Sequence, residues 1–155
     1  MKRGVFPNFT VSFSNFVSNI ASTNGGAIYS YRGNFTVSYC NFTGNTATRG
    51  DGGAVYFKST GNVTNCNFTG NNATTGSAIY FYSTSAQKSV SNSIFLNNRA
   101  NAKDLQVTKN ENNITITFTG NDNLLNAIYS AGNVTFTNVT YWGANGTANT
   151  GSSPT

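Results

Sequence analysis

Residues 42–56 read FTGNTATRGDGGAVY, and the motifs at the two ends of this stretch recur along the 155-residue chain. Phe followed three residues later by Asn occurs as FVSN at 16–19, FTGN at 42–45, FTGN at 68–71, FLNN at 95–98 and FTGN at 118–121. The second motif occurs as GGAIY at 25–29, GGAVY at 52–56, GSAIY at 76–80 and NAIY at 126–129, with a degenerate copy, KDLQV, at 103–107. A repeat of 20 to 27 residues predicts a solenoid in which each repeat forms one coil.

The repeat unit is predicted to consist of short β-strands. Asn, Thr, Ser and Gly dominate between the motifs, and these residues have low helix propensity. Apolar and polar residues alternate from Cys40 to Phe42 and from Val55 to Phe57, which is typical of strands. We therefore predict an all-β chain: a single-stranded parallel β-helix of about six coils over residues 1–146, with a flexible Gly/Ser/Thr tail at 147–155.

Strand alternation assigns side chains to the core or to the surface. The column that precedes each Phe is predicted to point inward and comprises Val11, Val37, Val63, Val90, Ile114 and Val134. The inward column of the second motif comprises Ile28, Val55, Ile79, Leu105 and Ile128. The Asn that closes each Phe motif is predicted to form an amide ladder, in which each side-chain carbonyl accepts a hydrogen bond from a neighbouring coil. The members of this structural ladder are Asn19, Asn45, Asn71, Asn98 and Asn121.

The composition argues against several classes of function. Charged residues make up 8% of the chain, against ~25% in ordinary globular proteins, and histidine, the commonest general base and metal ligand, is absent. The net charge of +5 is spread thinly, unlike the clustered basic face of a nucleic-acid-binding protein. From this composition and charge we predict no enzyme activity, no cofactor, no metal and no nucleic-acid partner. Because there is no apolar run of 18 residues, we also predict no membrane insertion.

Two alternative functions are weighed against a non-catalytic surface protein. Parallel β-helices include polysaccharide lyases and hydrolases, which need carboxylates clustered with cations; the candidate here is Asp51, near Arg49 and Lys58. A second carboxylate, Asp104, adjoins Lys103. An ice-binding solenoid would instead use the outward hydroxyl column, which comprises Ser12, Ser38, Thr64, Ser91, Thr115 and Thr135.

Outward tyrosines are the main candidate for a binding surface. They comprise Tyr29, Tyr56, Tyr80 and Tyr129 on one face, with Tyr31 and Tyr82 beside them. Flat aromatic rings stack on sugars and on apolar protein surfaces, although Tyr also simply suits an exposed strand. The tripeptide Arg49-Gly50-Asp51 is predicted to lie in a loop, where it suggests integrin binding or is a chance motif in a Gly-rich turn.

The two cysteines and the glycosylation sequons carry weaker signals. Cys40 and Cys66 occupy the same phase of adjacent repeats, so we expect them to stack inside the core as free thiols, with a strained disulfide as the alternative. Ten N-x-[ST] sequons begin at Asn8, Asn34, Asn41, Asn62, Asn67, Asn72, Asn113, Asn133, Asn138 and Asn145. A surface protein can be glycosylated at such sites, but a chain rich in Asn and Thr also contains them by composition.

The alternating FxxN and GGA[ILV] repeats resemble those of the chlamydial polymorphic membrane proteins and of the adhesin-like surface proteins of methanogenic archaea. The resemblance covers residues 9 to about 146, and Tyr141-Trp142-Gly143 is similar to the segment that ends many of the archaeal arrays. It implies a right-handed parallel β-helix at the cell surface or outside the cell, with a role in adhesion to a surface glycan or protein. The opening residues, MKRGVFPNFT, lack the apolar segment of a signal peptide.

The ends of the solenoid suggest a further partner, a second copy of the chain. A β-helix ends in open coils whose backbone groups are unpaired, and repeat proteins normally cover these ends with capping units. We expect Tyr141 and Trp142 to fold over the last coil, and the cover at the first coil to be thin. Because both ends carry the same Val and Phe columns, head-to-tail stacking into filaments is predicted.

Overall fold

The computed structural model describes residues 6–83 and 87–100, together with the backbone of three later strands at 115–119, 128–130 and 135–142. The regular structure in these residues is entirely β-strand, and it forms a parallel β-solenoid of about three turns. The predicted all-β, parallel solenoid architecture is therefore confirmed. The predicted tail at 147–155 and the degenerate repeat at 103–107 lie outside the described residues.

Each complete turn contains four short strands. The first turn contains β1 (Asn8–Ser12), β2 (Asn15–Val17), β3 (Ile20–Ala21) and β4 (Ile28–Ser30). The second contains β5 (Asn34–Ser38), β6 (Asn41–Thr43), β7 (Thr46–Ala47) and β8 (Val55–Phe57), and the third contains β9 (Thr60–Thr64), β10 (Asn67–Thr69), β11 (Asn72–Ala73) and β12 (Ile79–Phe81). A fourth turn begins with β13 (Lys88–Ser91), β14 (Ile94–Leu96) and β15 (Arg99–Ala100). The later strands are β16 (Thr115–Thr119), β17 (Ile128–Ser130) and β18 (Thr135–Trp142).

Equivalent strands of successive turns pair in parallel and in register. The order is β1-β5-β9-β13 on one face, β2-β6-β10-β14 on the next, then β3-β7-β11-β15, and finally β4-β8-β12-β17. The predicted aliphatic column is confirmed in the described turns, because Val11 pairs with Val37, Val37 with Val63, and Val63 with Val90. Each side chain therefore lies directly above its counterpart, roughly 4.8 Å away along the solenoid.

The Phe column forms the centre of the core. Phe16, Phe42, Phe68 and Phe95 stack with ring centroids 4.8 Å apart at each step and interplanar angles of 5° or less. The rings of Phe42, Phe68 and Phe95 are fully buried. Burying one such side chain contributes about 1.5–3 kcal/mol, so the repeated Phe is a main source of the stability of each coil.

Each turn changes direction at corners that contain one residue with positive φ. Ser18, Gly44, Gly70 and Asn97 occupy this position at the corner between the second and third faces, with φ between 54° and 65°. The corner between the first and second faces uses Phe13, Tyr39, Asn65 and Asn92, with φ between 48° and 54°. Asn and Gly adopt this conformation readily, whereas an aromatic residue there is uncommon.

The second glycine of the GGA motif is required for a different reason, namely the close approach of neighbouring coils. A Cβ atom placed on Gly26 would lie 2.1 Å from the carbonyl oxygen of Gly53. A Cβ atom on Gly53 would lie 2.0 Å from the carbonyl oxygen of Ser77. The backbones of successive turns therefore pack against each other at this point with no room for a side chain.

The later strands do not stack in the sequential order that the repeats predict. Ile128 of β17 pairs directly with Ile79 of β12, where Leu105 was expected to intervene. Strand β18 lies between the fourth turn and β16, and Tyr141 pairs with both Phe95 and Phe118. The expectation that Tyr141 and Trp142 fold over the last coil is therefore wrong, because both residues belong to a strand paired on its two sides.

A pair of alanine substitutions tests the packing of the coils. We expect Gly53→Ala to prevent the second and third turns from closing, because its Cβ atom would collide with the Ser77 carbonyl. Gly70→Ala is the control: Gly70 has φ +63° and open space around it, so only the backbone strain of about 1 kcal/mol applies. Urea denaturation followed by circular dichroism measures both; equal losses of unfolding free energy would contradict this account.

Candidate functional site

The Asn residues of the FxxN motifs stack at one corner and join successive coils. The side-chain carbonyl of Asn45 accepts hydrogen bonds from the backbone N–H of Asn19 at 3.0 Å and from its Nδ2 at 2.9 Å. Asn71 accepts in the same way from Asn45, and Asn98 accepts from Asn71. Asn121 lies outside the described residues.

Each buried amide in this ladder also has a partner for its second N–H. Nδ2 of Asn45 donates to the Phe16 carbonyl at 2.9 Å, and Nδ2 of Asn71 donates to the Phe42 carbonyl at 3.1 Å. Asn45 and Asn71 are fully buried, where an amide without partners would be costly. The ladder therefore holds the corner together without any charge and leaves these side chains unavailable to a ligand.

Sequon asparagines form separate ladders on the outer surface. Nδ2 of Asn34 donates to Oδ1 of Asn8 at 2.9 Å. Nδ2 of Asn41 donates to Asn15 at 2.8 Å, and Nδ2 of Asn67 donates to Asn41 at 2.9 Å. Nδ2 is the atom that would carry a glycan, so modification of these exposed residues in the folded chain would leave it one N–H for the ladder contact.

Tyrosines form a stacked column on the outer side of the GGAIY strands. The ring centroids of Tyr29 and Tyr56 are 5.0 Å apart, and those of Tyr56 and Tyr80 are also 5.0 Å apart. Tyr29 is 46% exposed, but Tyr56 is only 5% exposed, so the expectation of an exposed Tyr56 is wrong. Its neighbours cover both faces of its ring, and Tyr82 lies 6.4 Å away. Tyr129 pairs with Tyr80 in backbone register.

Burial also changes the chemistry of the central tyrosine. Desolvation raises the pKa of Tyr56 to about 12, and the nearby Tyr29, Asp51 and Tyr82 add to this effect. The Tyr56 phenol therefore stays protonated at neutral pH and can donate a hydrogen bond.

A second row lies beside this tyrosine column and contains cations. Lys58 Nζ lies 4.4 Å from the ring centroid of Tyr31 and 5.6 Å from that of Tyr82. The Arg32 guanidinium lies 5.1 Å from the Tyr31 ring and 5.3 Å from the Phe6 ring. These distances are within the range of cation–π attraction. The sequence indicated Tyr31 and Tyr82 as candidates but did not indicate that a lysine lies between them.

The Arg49-Gly50-Asp51 tripeptide lies, as predicted, in a connection between strands, and backbone hydrogen bonds join that connection to the neighbouring coils. Arg49 is exposed, but Gly50 is buried, and the backbone N–H of Asp51 donates to Oδ1 of Asn24 at 2.9 Å. Asp51 also forms a parallel bridge with Thr75. Burial raises the pKa of Asp51, and hydrogen bonds from Thr75 partly oppose this shift. The Asp51 carboxylate is therefore already engaged within the fold.

The two cysteines are free and buried, one coil apart. The Cys40 thiol donates to the Ser38 carbonyl, and the Cys66 thiol donates to the Thr64 carbonyl, each at 3.2 Å. Ser14 and Ser93 hold the same position and make the same bond, at 2.8 Å. Burial raises the pKa of Cys66 to about 11. Both thiols therefore act as small polar core residues that close a corner.

Three features of the described surface and core were not identified from the sequence. Lys88 is buried in register with Gly61, and its Nζ donates to the Ser83 carbonyl. Its position two residues before the inward Val90 was the available signal. The rings of Phe13 and Tyr39 stack at 4.9 Å on an exposed corner, and Lys58 lies between two tyrosines. The Phe13–Tyr39 stack and the position of Lys58 between two tyrosines can be recognised only when the register of the coils is known.

Comparisons with known proteins give no further assignment. No protein-family model matches the chain, and no curated protein or solved structure shows significant similarity to it. Among the described residues, no three His, Cys, Asp or Glu side chains gather as metal ligands would. The same part of the chain contains no helix long and apolar enough to cross a membrane.

Replacing one asparagine of the inner ladder tests its contribution. Asn71→Ala removes the acceptor of two Asn45 donors and leaves buried polar groups unpaired, so we expect the unfolding free energy to fall by about 3 kcal/mol. Asn67→Ala removes an exposed ladder contact and is expected to cost less than about 1 kcal/mol. Denaturant titration measures both, and a similar loss for the two variants would contradict a special role for the inner ladder.

The thiols are expected to be unreactive until the chain unfolds. At pH 8, a buried thiol with a pKa of about 11 is almost entirely protonated, so Ellman's reagent should react with Cys66 only in denaturant. The unfolded thiol ionises above its ordinary pKa of 9.0, so the stability contributed by Cys66 is present below pH 9 and lost as the pH rises towards 11. Cys66→Ser should keep the corner hydrogen bond and weaken this pH dependence. Rapid labelling of the native chain would contradict the prediction.

Proposed function

We propose that the chain is a non-catalytic segment of a cell-surface or extracellular protein, either adhesin-like or structural. The observation that carries this proposal is that most of the recurring side chains are already occupied by contacts within the fold. The Phe, Val, Asn and Gly columns are occupied by contacts between coils, and the outward tyrosine column, which is exposed at Tyr29, remains as the proposed binding surface. Two shallow grooves on the outside are lined by Asn, Thr, Gln and aliphatic residues, which cannot perform acid–base chemistry at neutral pH.

The finer architecture is part of the same proposal. We take the chain to be a single right-handed parallel β-helix of about six coils over residues 1–146, like the FxxN/GGA[ILV] surface proteins that it resembles. The in-register pairing of β18 with β13 and β14 supports continuation of the solenoid beyond the fourth turn. The fold is consistent with a spacer that holds its surface in one fixed orientation.

The tyrosine column suits a binding role because its rings are already ordered. Tyr29, Tyr56 and Tyr80 are stacked before any partner arrives, so binding costs little side-chain entropy. Tyrosine combines an apolar ring with a hydroxyl group and is enriched at interfaces. A cell-surface glycan or protein is therefore the proposed partner.

A second partner in the proposal is another copy of the chain. In the described sheets, β1, β2, β3 and β4 each lie at the edge of their sheet, and the outward Val17 and Ile20 beside this edge are largely exposed. An unprotected strand edge pairs readily with another strand. End-to-end addition at the first coil would extend every ladder and would build a filament.

The binding role is tested with a screen of glycans and cell-surface proteins. We expect a signal that falls at least about tenfold in the double variant Tyr29→Ser/Tyr80→Ser, since two of the stacked rings of the column are removed. Tyr39→Asn is the matched control, because Tyr39 lies at a different corner and Asn occupies the same position in the next two turns. No binding in the screen, combined with no self-association, would contradict the proposed function.

Self-association is tested by analytical ultracentrifugation over a range of concentrations. We expect the wild-type chain to sediment as larger species at high concentration. The double variant Val17→Lys/Ile20→Lys places two charges beside the open edge and should shift the chain towards monomer. A wild-type chain that remains monomeric at every concentration would remove the filament from the proposal.

A further inference from the structure

The row formed by Tyr31, Lys58 and Tyr82 arises from three successive coils. Ser30 pairs with Phe57 and Phe57 pairs with Phe81, so the next residue in each turn takes the same position along the solenoid. Backbone hydrogen bonds fix the row: Lys58 N–H donates to the Ser30 carbonyl at 2.8 Å, and Tyr82 N–H donates to the Phe57 carbonyl at 2.9 Å. A lysine is thereby held between two tyrosines, one coil away on each side.

The positive charge of this row has no anionic partner in the described part of the chain. Asp51 is the one carboxylate among the described residues, and its oxygens are hydrogen-bonded to Thr75. Lys58 and Arg32 contact aromatic ring faces, which attract a cation but do not accept the N–H groups as an anion would. The row therefore offers unused, charge-assisted hydrogen-bond donors at the surface.

The surroundings of Lys58 strengthen its attraction for an anion. Lys58 is half-buried, and the rings beside it displace part of its hydration shell. A less hydrated cation interacts more strongly with an anionic group than a fully exposed one. Tyr31 and Tyr82 remain 50% and 51% exposed, so their apolar ring surface is available beside the charge.

We propose that Tyr31, Arg32, Lys58 and Tyr82 bind a carboxylate-bearing sugar of an acidic polysaccharide. Lys58 and Arg32 would donate to the carboxylate, and the tyrosine rings would contact the apolar face of a sugar ring. The row spans two coil steps, about 10 Å, so it accommodates a short stretch of saccharide. Since two cations cannot supply the clustered charge that nucleic acids require, an acidic sugar fits the row better. This inference rests on the proposed binding function of the tyrosine face.

The test compares acidic sugars with matched neutral ones by isothermal titration calorimetry. The two pairs are tri-galacturonate with its methyl ester, and sialyllactose with lactose. We expect at least one acidic sugar to bind about tenfold more tightly than its neutral counterpart, and this advantage to shrink in 0.5 M salt. If neither acidic sugar exceeds its counterpart, the inference is overturned. A poly-glutamate peptide that binds as tightly as the sugar would also overturn it.

Variants locate the binding at the row. Lys58→Met keeps the length and apolar packing of the side chain but removes the charge, and it should lower the affinity for the acidic sugar about tenfold. Lys58→Arg should keep most of the affinity, and Arg99→Met, which removes an exposed cation on β15, should leave it unchanged. Wild-type affinity in Lys58→Met would overturn the inference. Neutral glycans that bind through Tyr29 and Tyr80 would leave the proposed function intact, whereas no ligand in either experiment would remove both.

Discussion

Parallel, in-register stacking of coils places each residue directly above its counterpart, and the rest of the structure follows from this constraint. A side chain in the core must pack against a copy of itself at about 4.8 Å. Phe satisfies this condition by stacking ring on ring, as Phe42 and Phe68 do. A column of buried charges cannot satisfy it, because like charges would repel at every step. The buried Lys88 is compatible with the stack because it lies in register with Gly61 and not with another lysine.

Asparagine is the polar residue that meets the same constraint inside the chain. Its amide both donates and accepts, so an unbroken row of Asn can satisfy itself from coil to coil. The bonds from Asn19 to Asn45 and from Asn45 to Asn71 illustrate this self-complementarity. The corner serines and cysteines use a local solution instead, since each donates to the carbonyl two residues earlier. The two solutions explain why Asn is constant in the repeat while Ser and Cys interchange.

The sequence predicts the features that recur in every repeat, and it misses those that depend on a single residue or on the degenerate repeat. Period and alternation were enough to predict the Phe, Val and GGAIY columns, because these depend only on register. The burial of Tyr56 was not predicted, because an outward side chain can still be covered by its two neighbours and by Tyr82. The order of β16, β17 and β18 was also missed, because the degenerate repeat at 103–107 gives no strong column to fix the register. The Lys58 row escaped detection because Tyr, Lys and Tyr do not form a repeated motif.

The connections within each coil differ in how constant their lengths are. The corners between β1 and β2, and between β2 and β3, contain two residues in the first turn and in each later described turn. Those corners contain the positive-φ residues and the Asn ladder, both of which depend on the register between coils. The connection that follows the GGAIY strand instead contains three residues after β4, two after β8 and six after β12.

Tyr31, Lys58 and Tyr82 lie at the start of this variable connection, anchored to the rigid strands before them. Variable segments on a rigid scaffold are where binding residues usually lie, and this placement is the structural reason to look for recognition there and not along the Asn ladder of the corners.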